Sequence, residues 1–181
     1  ENGIGEIVAK GPNVMQGYYN QPEETAKAIV DGWFYTGDLG RIDSKGNLII
    51  TGRKKNVIVL KNGKNVFPEE IEEMIMKLPY VSECMMFTRE KHNELVLWCE
   101  IVYEPALLED ESITREQLAA RFAKDLADIN DILPKYKHIN HFIMSEEPMI
   151  KTTTQKVKRR AEVDKIYKQW DDEKCYNTIM K

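Results

Sequence analysis

The sequence predicts an α+β fold in which a short β-rich segment precedes a small sheet covered by helices. Before Arg53 the chain is rich in glycine and carries short apolar runs joined by turn residues. After Pro68, helical and strand-like periods alternate. The 181 residues are 42% hydrophobic and 31% charged, which is enough for a core. We therefore expect one small helix-and-sheet domain preceded by part of another.

Turn residues predict two hairpins early in the chain. Ser44–Asn47 separates two short strands, Arg41–Asp43 and Leu48–Thr51. Lys61–Gly63 lies between two further apolar runs, and Asn-Gly in that position is a strong hairpin signal. Pro22–Val30 is typical of a short helix with proline in its first turn.

The later segments predict helices that alternate with strands. Thr114 and Gln117 form a candidate capping box, and apolar residues at helical spacing follow it. Three runs rich in β-branched, aromatic and other apolar residues predict a three-stranded sheet: Val81–Thr88, Leu95–Tyr103 and His138–Met144. Three helices are predicted in this part of the chain: one over residues 71–78 after Pro68, one after Thr114, and one from about Val157 to Gln169. A polar loop, Ser145–Gln155, precedes the last of them.

Charge and cysteine content exclude several classes of protein. The net charge of −4 argues against a nucleic-acid-binding protein and a polybasic membrane anchor. Cys84, Cys99 and Cys175 are odd in number without CxxC spacing, so we expect reduced thiols. We find no signal peptide and no apolar stretch near the roughly 18 residues of a membrane-spanning helix. Because the chain starts at Glu1 without Met, we expect a piece of a longer protein.

A glycine-flanked acid is the first candidate for chemistry. Asp38 lies in the stretch Tyr35–Gly40 with a glycine on each side. Glycine lets a backbone turn tightly near a ligand, and a carboxylate held on such a loop can accept two hydrogen bonds from the ribose hydroxyls. The alternative is a plain turn in which Asp38 satisfies its own backbone.

Two basic segments are the other candidates. Gly52–Lys55 carries three consecutive cations after a strand and could contact a phosphate or ribose phosphate. Lys151–Arg160 presents lysines after short hydroxylated residues, which could bring an ammonium to an anionic transition state. A solvated basic turn and a basic surface helix are the alternatives. A nucleic-acid-binding patch is a further alternative, but the segment has no interleaved aromatic side chains for base stacking before Tyr167 and Trp170.

Four motifs in order resemble the ANL superfamily of acyl-CoA synthetases, peptide-synthetase adenylation domains and luciferases. The resemblance runs from about residue 3 to 161. It rests on Gly5-Glu6-Ile7 with Gly17-Tyr18-Tyr19, Pro22 and Thr25; on Gly32–Asp38; on Gly52-Arg53 with Gly63, Pro68 and Glu70-Ile71-Glu72; and on Pro148, Lys151-Thr152, Lys156 and Arg159. It implies that residues 1–52 end the large adenylation domain, 53–55 form a hinge and 56–181 form the mobile C-terminal domain.

The resemblance also implies a role for individual residues. Asp38 would bind the ribose hydroxyls of ATP and AMP, with Tyr35 and Thr36 beside it, and Arg53 would contact the ribose or phosphate. Lys156 would bridge the acyl carboxylate and the α-phosphate during adenylation. The remaining positions are Lys55 at the hinge, Gly63 in the loop that approaches the CoA channel, and Gln155 where the family usually has glycine. No residue is expected to bind a metal in this segment.

The implied activity is ATP- and Mg²⁺-dependent activation of a carboxylic acid as its acyl-adenylate, followed by transfer to CoA. The stretch 128–139 resembles long-chain fatty acyl-CoA synthetases, which favours a long-chain fatty acid. The phosphate loop and acyl pocket of the family would lie upstream, so we expect this chain alone to be inactive. Its partners would be ATP, the fatty acid, CoA and the rest of the same polypeptide, without nucleic acid.

Two alternatives remain open from sequence. An adenylation domain that loads a carrier protein would use the same chemistry, and a non-catalytic binding module would use none. The implied location is cytoplasmic, with peripheral membrane contact of the parent protein left open.

Overall fold

The computed structural model describes residues 3–91, 93–104, 106, 113–169 and 177–178. The chain divides into two compact units, Glu1–Val57 and Ile58–Lys181. Both contain helix and antiparallel sheet, so the predicted α+β class is confirmed. Cys175 and Trp170 lie outside the described residues.

The first unit is an antiparallel sheet built around one long strand, β3 (Trp33–Ile42). Strand β1 (Gly5–Ala9) pairs with one edge of β3, whereas β2 (Ile29–Val30) and β4 (Leu48–Arg53) pair with the other. Helix α1 (Pro22–Ala28) precedes β2 and has proline in its first turn. It is shorter than predicted because its last two predicted residues pair with β3 instead.

The turn predicted between β3 and β4 is confirmed. Asp43 Oδ1 accepts hydrogen bonds from the amides of Lys45 and Asn47, both at 2.8 Å. A carboxylate that bonds the backbone two residues on is a standard way to reverse a chain, and here it fixes the register of the two strands.

The loop predicted at Tyr35–Gly40 is wrong, since this stretch lies inside β3. Strands on both edges provide hydrogen-bond partners that its glycine-rich sequence does not reveal. The pairing is interrupted by a bulge: Glu6 pairs with Leu39 and Val8 with Tyr35, so three residues of β3 lie opposite one residue of β1. The glycines therefore mark a bulged strand.

The second unit begins with the other predicted hairpin. Strands β5 (Ile58–Val59) and β6 (Asn65–Val66) pair antiparallel, and Lys61–Gly63 lies in the turn between them. Both strands are shorter than the apolar runs predict, since only two residue pairs are in register.

The main sheet of the second unit has the order β10-β9-β8-β7. Strands β7 (Val81–Lys91) and β8 (Glu94–Tyr103) are antiparallel, and β9 (His141–Ser145) lies parallel to β8. A parallel pair needs a long connection, which includes α3 (Arg115–Ile132). The three predicted strands are present, and β10 (Asn177–Thr178) adds a short antiparallel partner for β9 that no sequence pattern predicts.

The helices of the second unit begin close to their predicted starts. Helix α2 (Pro68–Ile75) has proline and two acidic residues in its first turn, which suits the positive end of a helix dipole. Helix α3 opens with the predicted capping box: Thr114 Oγ1 accepts the Gln117 amide at 3.3 Å, and Gln117 Oε1 accepts the Thr114 amide at 2.9 Å. Helix α4 (Arg159–Gln169) starts two residues later than predicted.

The main sheet is covered by helices on both faces. Cys99 and Ile101 of β8 are fully buried in a core that contains Phe122 of α3. Val102 points to the opposite face, into a second core with Ile166 of α4. This alternation follows from the two-residue period of a strand. The segment that carries the candidate Lys156 lies on the same side of the sheet as α4.

Candidate nucleotide-binding strands and lysine hairpin

The candidate ribose carboxylate, Asp38, lies at the bulge in β3. Gly37 there has a φ of +73°, a conformation that side chains with a Cβ rarely adopt. Thr36 Oγ1 donates to the carbonyl of Ile7 at 2.8 Å and accepts the Asp38 amide at 3.0 Å. The Gly37 amide donates to Glu6 Oε1 at 3.3 Å. Hydrogen bonds to β1 thus hold the backbone that carries Asp38.

Arg53 is the direct partner of Asp38. The two residues are opposite each other in the β3–β4 register, and Arg53 Nε lies 2.8 Å from Asp38 Oδ1. Arg53 Nη1 also donates to the carbonyl of Thr36 at 3.3 Å. The two side chains remain 42% and 30% exposed, and Tyr35 is exposed close by in the chain. All four predicted nucleotide-binding residues therefore lie on two paired strands, with one Asp38 oxygen oriented by a guanidinium.

The predicted hinge residue, Lys55, lies in a short 3₁₀ helix, Lys54–Asn56, directly after β4. Its side chain is exposed and makes no hydrogen bond or ion pair within the described part of the chain. By contrast, the neighbouring Lys54 is held 2.8 Å from Glu6 Oε2. The boundary between the two compact units falls shortly after this helix, between Val57 and Ile58.

Gly63 occupies the left-handed position of the β5–β6 turn, with a φ of +77°. The Leu60 amide donates to the Lys64 carbonyl at 2.9 Å, and the Gly63 amide donates to the Leu60 carbonyl at 2.8 Å. This pattern is a three-residue hairpin loop whose third residue is left-handed. Lys61 in the loop lies 2.9 Å from Glu90 at the end of β7, which ties the hairpin to the main sheet.

The predicted catalytic residue, Lys156, lies on a second hairpin, Lys151–Val157, which we call the lysine hairpin. Its ends form a single β-bridge. The Thr152 amide donates to the Lys156 carbonyl at 2.8 Å, and the Gln155 amide donates to the Thr152 carbonyl at 3.0 Å. The Lys156 side chain is exposed and has no hydrogen bond or ion pair among the described residues.

Gln155 adopts the conformation that a glycine would adopt at its position. Its φ is +62°, and the hydrogen bonds around it repeat those around Gly63. A left-handed residue with a Cβ costs about 1–2 kcal/mol, so the surrounding contacts must impose this turn. Gln155 therefore does not prevent a left-handed turn at this position.

Arg159 anchors the segment that follows the lysine hairpin. Arg159 forms a very short ion pair with Glu72 of α2, and its Nη1 donates to the Met86 carbonyl at 3.3 Å. Glu72 Oε1 in turn accepts the Met86 amide at 2.6 Å. Burial opposes the charge of Arg159, but the hydrogen bond from Arg159 to Glu72 and the nearby negative charges raise its pKa.

Two glutamates hold the strand that enters the lysine hairpin. Glu83 of β7 accepts the Met149 amide at 3.2 Å and lies 2.7 Å from Lys151 Nζ. Glu162 of α4 accepts the Ile150 amide at 2.6 Å. The hairpin is therefore attached to the sheet and the helix on both of its sides, and only its tip is left in solvent.

A buried carboxyl pair lies beneath this attachment. Glu162 is fully buried and Glu100 of β8 is 1% exposed. Lys165 Nζ is 3.0 Å from Glu162 Oε1 and 3.5 Å from Glu147. Burial, and then the negative charge of Glu162, raise the pKa of Glu100 to about 8. The raised pKa favours the neutral form of Glu100 at neutral pH.

Sequence reasoning found the lysine but missed its supports. Glu72, Glu83, Glu100 and Glu162 come from four different elements, and each is an ordinary polar residue in its own segment. One signal was present: Glu100 interrupts the apolar run Leu95–Tyr103 at a position whose neighbours are all buried. An acid in such a run requires a buried partner.

The residues that the structure describes contain no group of three or more His, Cys, Asp or Glu side chains that could hold a metal ion. None of their helices is both long and apolar enough to cross a membrane.

The class of protein follows from the fold, which is similar to that of solved coenzyme A synthetases. An o-succinylbenzoate coenzyme A synthetase from Bacillus subtilis, solved with ATP and magnesium, superposes with a TM-score of 0.71 and is 27% identical over 89% of this chain. The chain belongs to the AMP-binding enzyme C-terminal domain family, whose sequence model matches residues 55–177.

Curated relatives of the family match most of the chain. A medium-chain fatty-acid–CoA ligase of Escherichia coli is 32% identical over 156 residues, which are 86% of this chain. A long-chain-fatty-acid–CoA ligase of Mycobacterium tuberculosis is 31% identical over 192 aligned positions that cover 96% of it. The chain spans 26% and 31% of these two relatives and 30% of the succinylbenzoate enzyme.

Proposed function

We propose that this chain is the C-terminal part of an ATP-dependent acid–CoA ligase. Such an enzyme activates a carboxylic acid as its acyl-adenylate, using ATP with Mg²⁺ and releasing pyrophosphate, and then transfers the acyl group to the thiol of CoA. The observation that carries the proposal is the exposed Lys156 on a braced hairpin inside the domain that matches the family. ATP, the acid and CoA are the proposed substrates, and the rest of the polypeptide is the proposed partner.

The nucleotide role is proposed for the β3–β4 strand pair. Asp38 has a solvent-accessible carboxylate on a backbone that is fixed by hydrogen bonds, which suits an acceptor for two ribose hydroxyls. Arg53 both orients Asp38 and leaves guanidinium donors for the ribose or phosphate. Tyr35 and Thr36 would line the same site.

Adenylation needs a cation where negative charge develops on the α-phosphoryl oxygens. A positioned donor of this kind commonly contributes a factor of about 10²–10³ in rate. Lys156 suits this role because its ammonium is exposed and unpaired among the described residues, whereas the backbone beneath it is held by hydrogen bonds. A rigid backbone beneath Lys156 reduces the reorganisation that is needed when the transition state forms.

We further propose that residues 1–52 end the adenylation domain, 53–55 are a hinge and 56–181 move as one domain. Thioester formation needs a thiol where Lys156 acts in the first step, so the two steps require two domain orientations. Rotation at Lys55 would remove Lys156 and bring the Gly63 turn towards the CoA thiol. The compact division near residue 57 and the family match from residue 55 support this arrangement.

The acid is proposed to be a long-chain fatty acid, and this step rests on sequence resemblance. In the stretch 128–139 that carries it, Asn130 is buried and exchanges two hydrogen bonds with the backbone of Ile139, each at 2.8 Å. Asn130 therefore has a structural reason to be there, at the entry to β9. Relatives named for medium-chain, long-chain and succinylbenzoate substrates match this chain, so the acid must be decided by experiment.

The test is turnover by the full-length protein with ATP, Mg²⁺ and a panel of acids that includes octanoate, palmitate and succinylbenzoate. With acid alone we expect acid-dependent ATP–pyrophosphate exchange, and with CoA we expect AMP and acyl-CoA in equal amounts. The isolated 181-residue chain should be silent. Exchange that needs no acid, or acyl transfer only to a carrier protein, would contradict the proposal.

Asp38→Ala in the same assay tests the nucleotide site. Loss of two hydrogen bonds to a charged acceptor, each worth about 1.5–3 kcal/mol, should raise the KM for ATP at least tenfold. Asp43→Ala is the control, because Asp43 closes the β3–β4 turn and has no role in nucleotide binding. If both substitutions change the KM for ATP equally, Asp38 acts through the fold alone.

A further inference from the structure

The inference concerns what holds the lysine hairpin in place. The segment that enters it, residues 149–151, pairs with the return limb through the bridge between Lys151 and Val157, and the Ile150 amide donates to a side chain. The acceptor is Glu162 Oε2 at 2.6 Å, on the buried side of α4. On the return side of the hairpin, the Lys158 amide donates to the Ile150 carbonyl at 2.7 Å. Both backbone groups of Ile150 are thus engaged, one by the hairpin and one by Glu162.

A fully buried glutamate in an apolar helix face needs a reason. Glu162 lies four residues before Ile166, at the spacing that places both on the same face of α4, and both are 0% exposed. An apolar residue there would avoid the cost of burying a carboxylate. What Glu162 provides that an apolar residue cannot is an acceptor for the Ile150 amide and a partner for Lys165.

We infer that Glu162 is a positioning residue for Lys156: its carboxylate fixes the lysine hairpin through the hydrogen bond from the Ile150 amide. The inference rests on the proposed role of Lys156 and deepens it. Among the described residues, the Glu162 side chain accepts hydrogen bonds from the Ile150 amide and from Lys165, so it acts through the backbone and not on the substrate.

Lys165 compensates the buried charge of Glu162. Its Nζ lies 3.0 Å from Glu162 Oε1 and 3.5 Å from Glu147 Oε2. Lys151 is instead paired with Glu83. Burial, and then the charge of Glu162, raise the pKa of Glu100, which favours the neutral form of Glu100 near Glu162.

The experiment uses the full-length protein and measures hydrogen–deuterium exchange of peptides that cover residues 149–158. Glu162→Leu removes the acceptor and keeps an apolar helix face. Ile150→Pro removes the donor at an exposed residue and leaves the buried helix untouched. In both variants we expect exchange in this peptide to accelerate about tenfold or more, because a hydrogen bond to a charged acceptor is lost. Peptides of β7 and β8 should be unchanged, which reports that the fold is intact.

Two matched variants separate the acceptor from the charge. Glu162→Gln keeps a carbonyl acceptor for the Ile150 amide, and Asp164→Asn changes an exposed acid on the same helix. Both should exchange like the wild type, within about threefold. If exchange accelerates as much in Glu162→Gln as in Glu162→Leu, the inference is overturned, since the charge of Glu162 and not its acceptor oxygen would then hold the hairpin.

Adenylation is measured in the same variants. Glu162→Leu and Ile150→Pro should lower kcat for acyl-adenylate formation roughly tenfold to a hundredfold, with the KM for ATP unchanged, because the lysine is misplaced while the nucleotide site is not. If exchange accelerates but adenylation does not change, Glu162 positions the hairpin as inferred, and the proposed role of Lys156 fails instead. Unchanged exchange in both variants overturns the inference, whatever adenylation does.

Discussion

The side chains of Lys156 and Lys158 are exposed and have no partner among the described residues, unlike those of two other cations of the same segment. Lys151 is bound to Glu83 and Arg159 to Glu72, so these two side chains hold the hairpin. The sequence shows a run of similar basic residues and cannot tell them apart, because the acidic partners are far away in the chain. At the scale of single residues, the structure therefore separates the exposed ammonium on the lysine hairpin from two cations with a structural role.

Lys156→Ala in the full-length enzyme should lower the rate of acyl-adenylate formation on the order of 10²-fold or more. Thioester formation from pre-formed acyl-adenylate and CoA should change far less, since in the proposed second orientation this lysine has left the site. Quenched-flow measurement of each half-reaction checks both rates.

The control is Lys158→Ala, which removes an exposed charge two residues further along the chain, just after the lysine hairpin. It should leave both half-reactions within about threefold, as expected for a solvated surface charge. Equal, small losses for the two alanine variants would indicate a generally basic surface. Equal slowing of both steps by Lys156→Ala would contradict the movement of the domain.

At the scale of elements, local signals succeeded where one segment holds all the required groups. The Thr114 capping box, the Asp43 turn and the Gly63 hairpin were predicted because donor and acceptor are within five residues of each other. Only the end of β3 was predicted as a strand, and residues 33–40 were missed because their partners are in other strands and glycine-rich sequence is itself typical of loops. The same reason explains why α4 begins after Val157, which pairs with Lys151 instead.

The short 3₁₀ helix Lys54–Asn56 is the element on which the hinge proposal can be tested. A 3₁₀ helix has a φ of about −50 to −70°, and proline fixes φ near −65°, so Lys55→Pro should be compatible with the local conformation. It should also restrict the torsion changes that rotation needs. We expect acyl-adenylate formation to persist and acyl-CoA formation to fall on the order of tenfold or more.

The two half-reactions are measured separately in this variant, with Lys54→Ala as the control. That substitution removes the ion pair with Glu6 but leaves the backbone free. If Lys55→Pro is folded and slows both steps equally, the hinge does not lie at this position.

At the scale of the whole molecule, burial of Glu100 links stability to pH. Burial, and then Glu162, raise the pKa of Glu100 from its ordinary 4.5 to about 8 in the folded chain. The unfolded chain releases this proton near pH 4.5, while the folded chain keeps it until about pH 8. The folded state therefore binds more protons between these values, and the free energy of unfolding falls as the pH rises through this window.

Glu100→Gln should remove this dependence. The amide stays neutral and can still donate to Glu162, so the variant should gain stability relative to the wild type as the pH rises from 5 to 8.5, by on the order of a few kcal/mol. Urea unfolding across this range measures the difference. Glu73→Gln, an exposed acid on α2, is the control and should show no such gain. If the free energy of unfolding changes with pH in the same way in the wild type and in Glu100→Gln, Glu100 is ionised in the folded chain.

The sequence alone determined the α+β class, the main sheet strands, the cap and turns, and the candidates Asp38, Arg53 and Lys156. These follow from periodicity, turn chemistry and ordered motifs, which are local or additive along the chain. Only the tertiary structure decided that Asp38 lies on a bulged strand beside Arg53. It also decided that three glutamates from α2, β7 and α4 hold the lysine hairpin and the segment that follows it. Those interactions depend on burial and on the spatial proximity of residues that are far apart in the sequence. Neither can be predicted from any single segment.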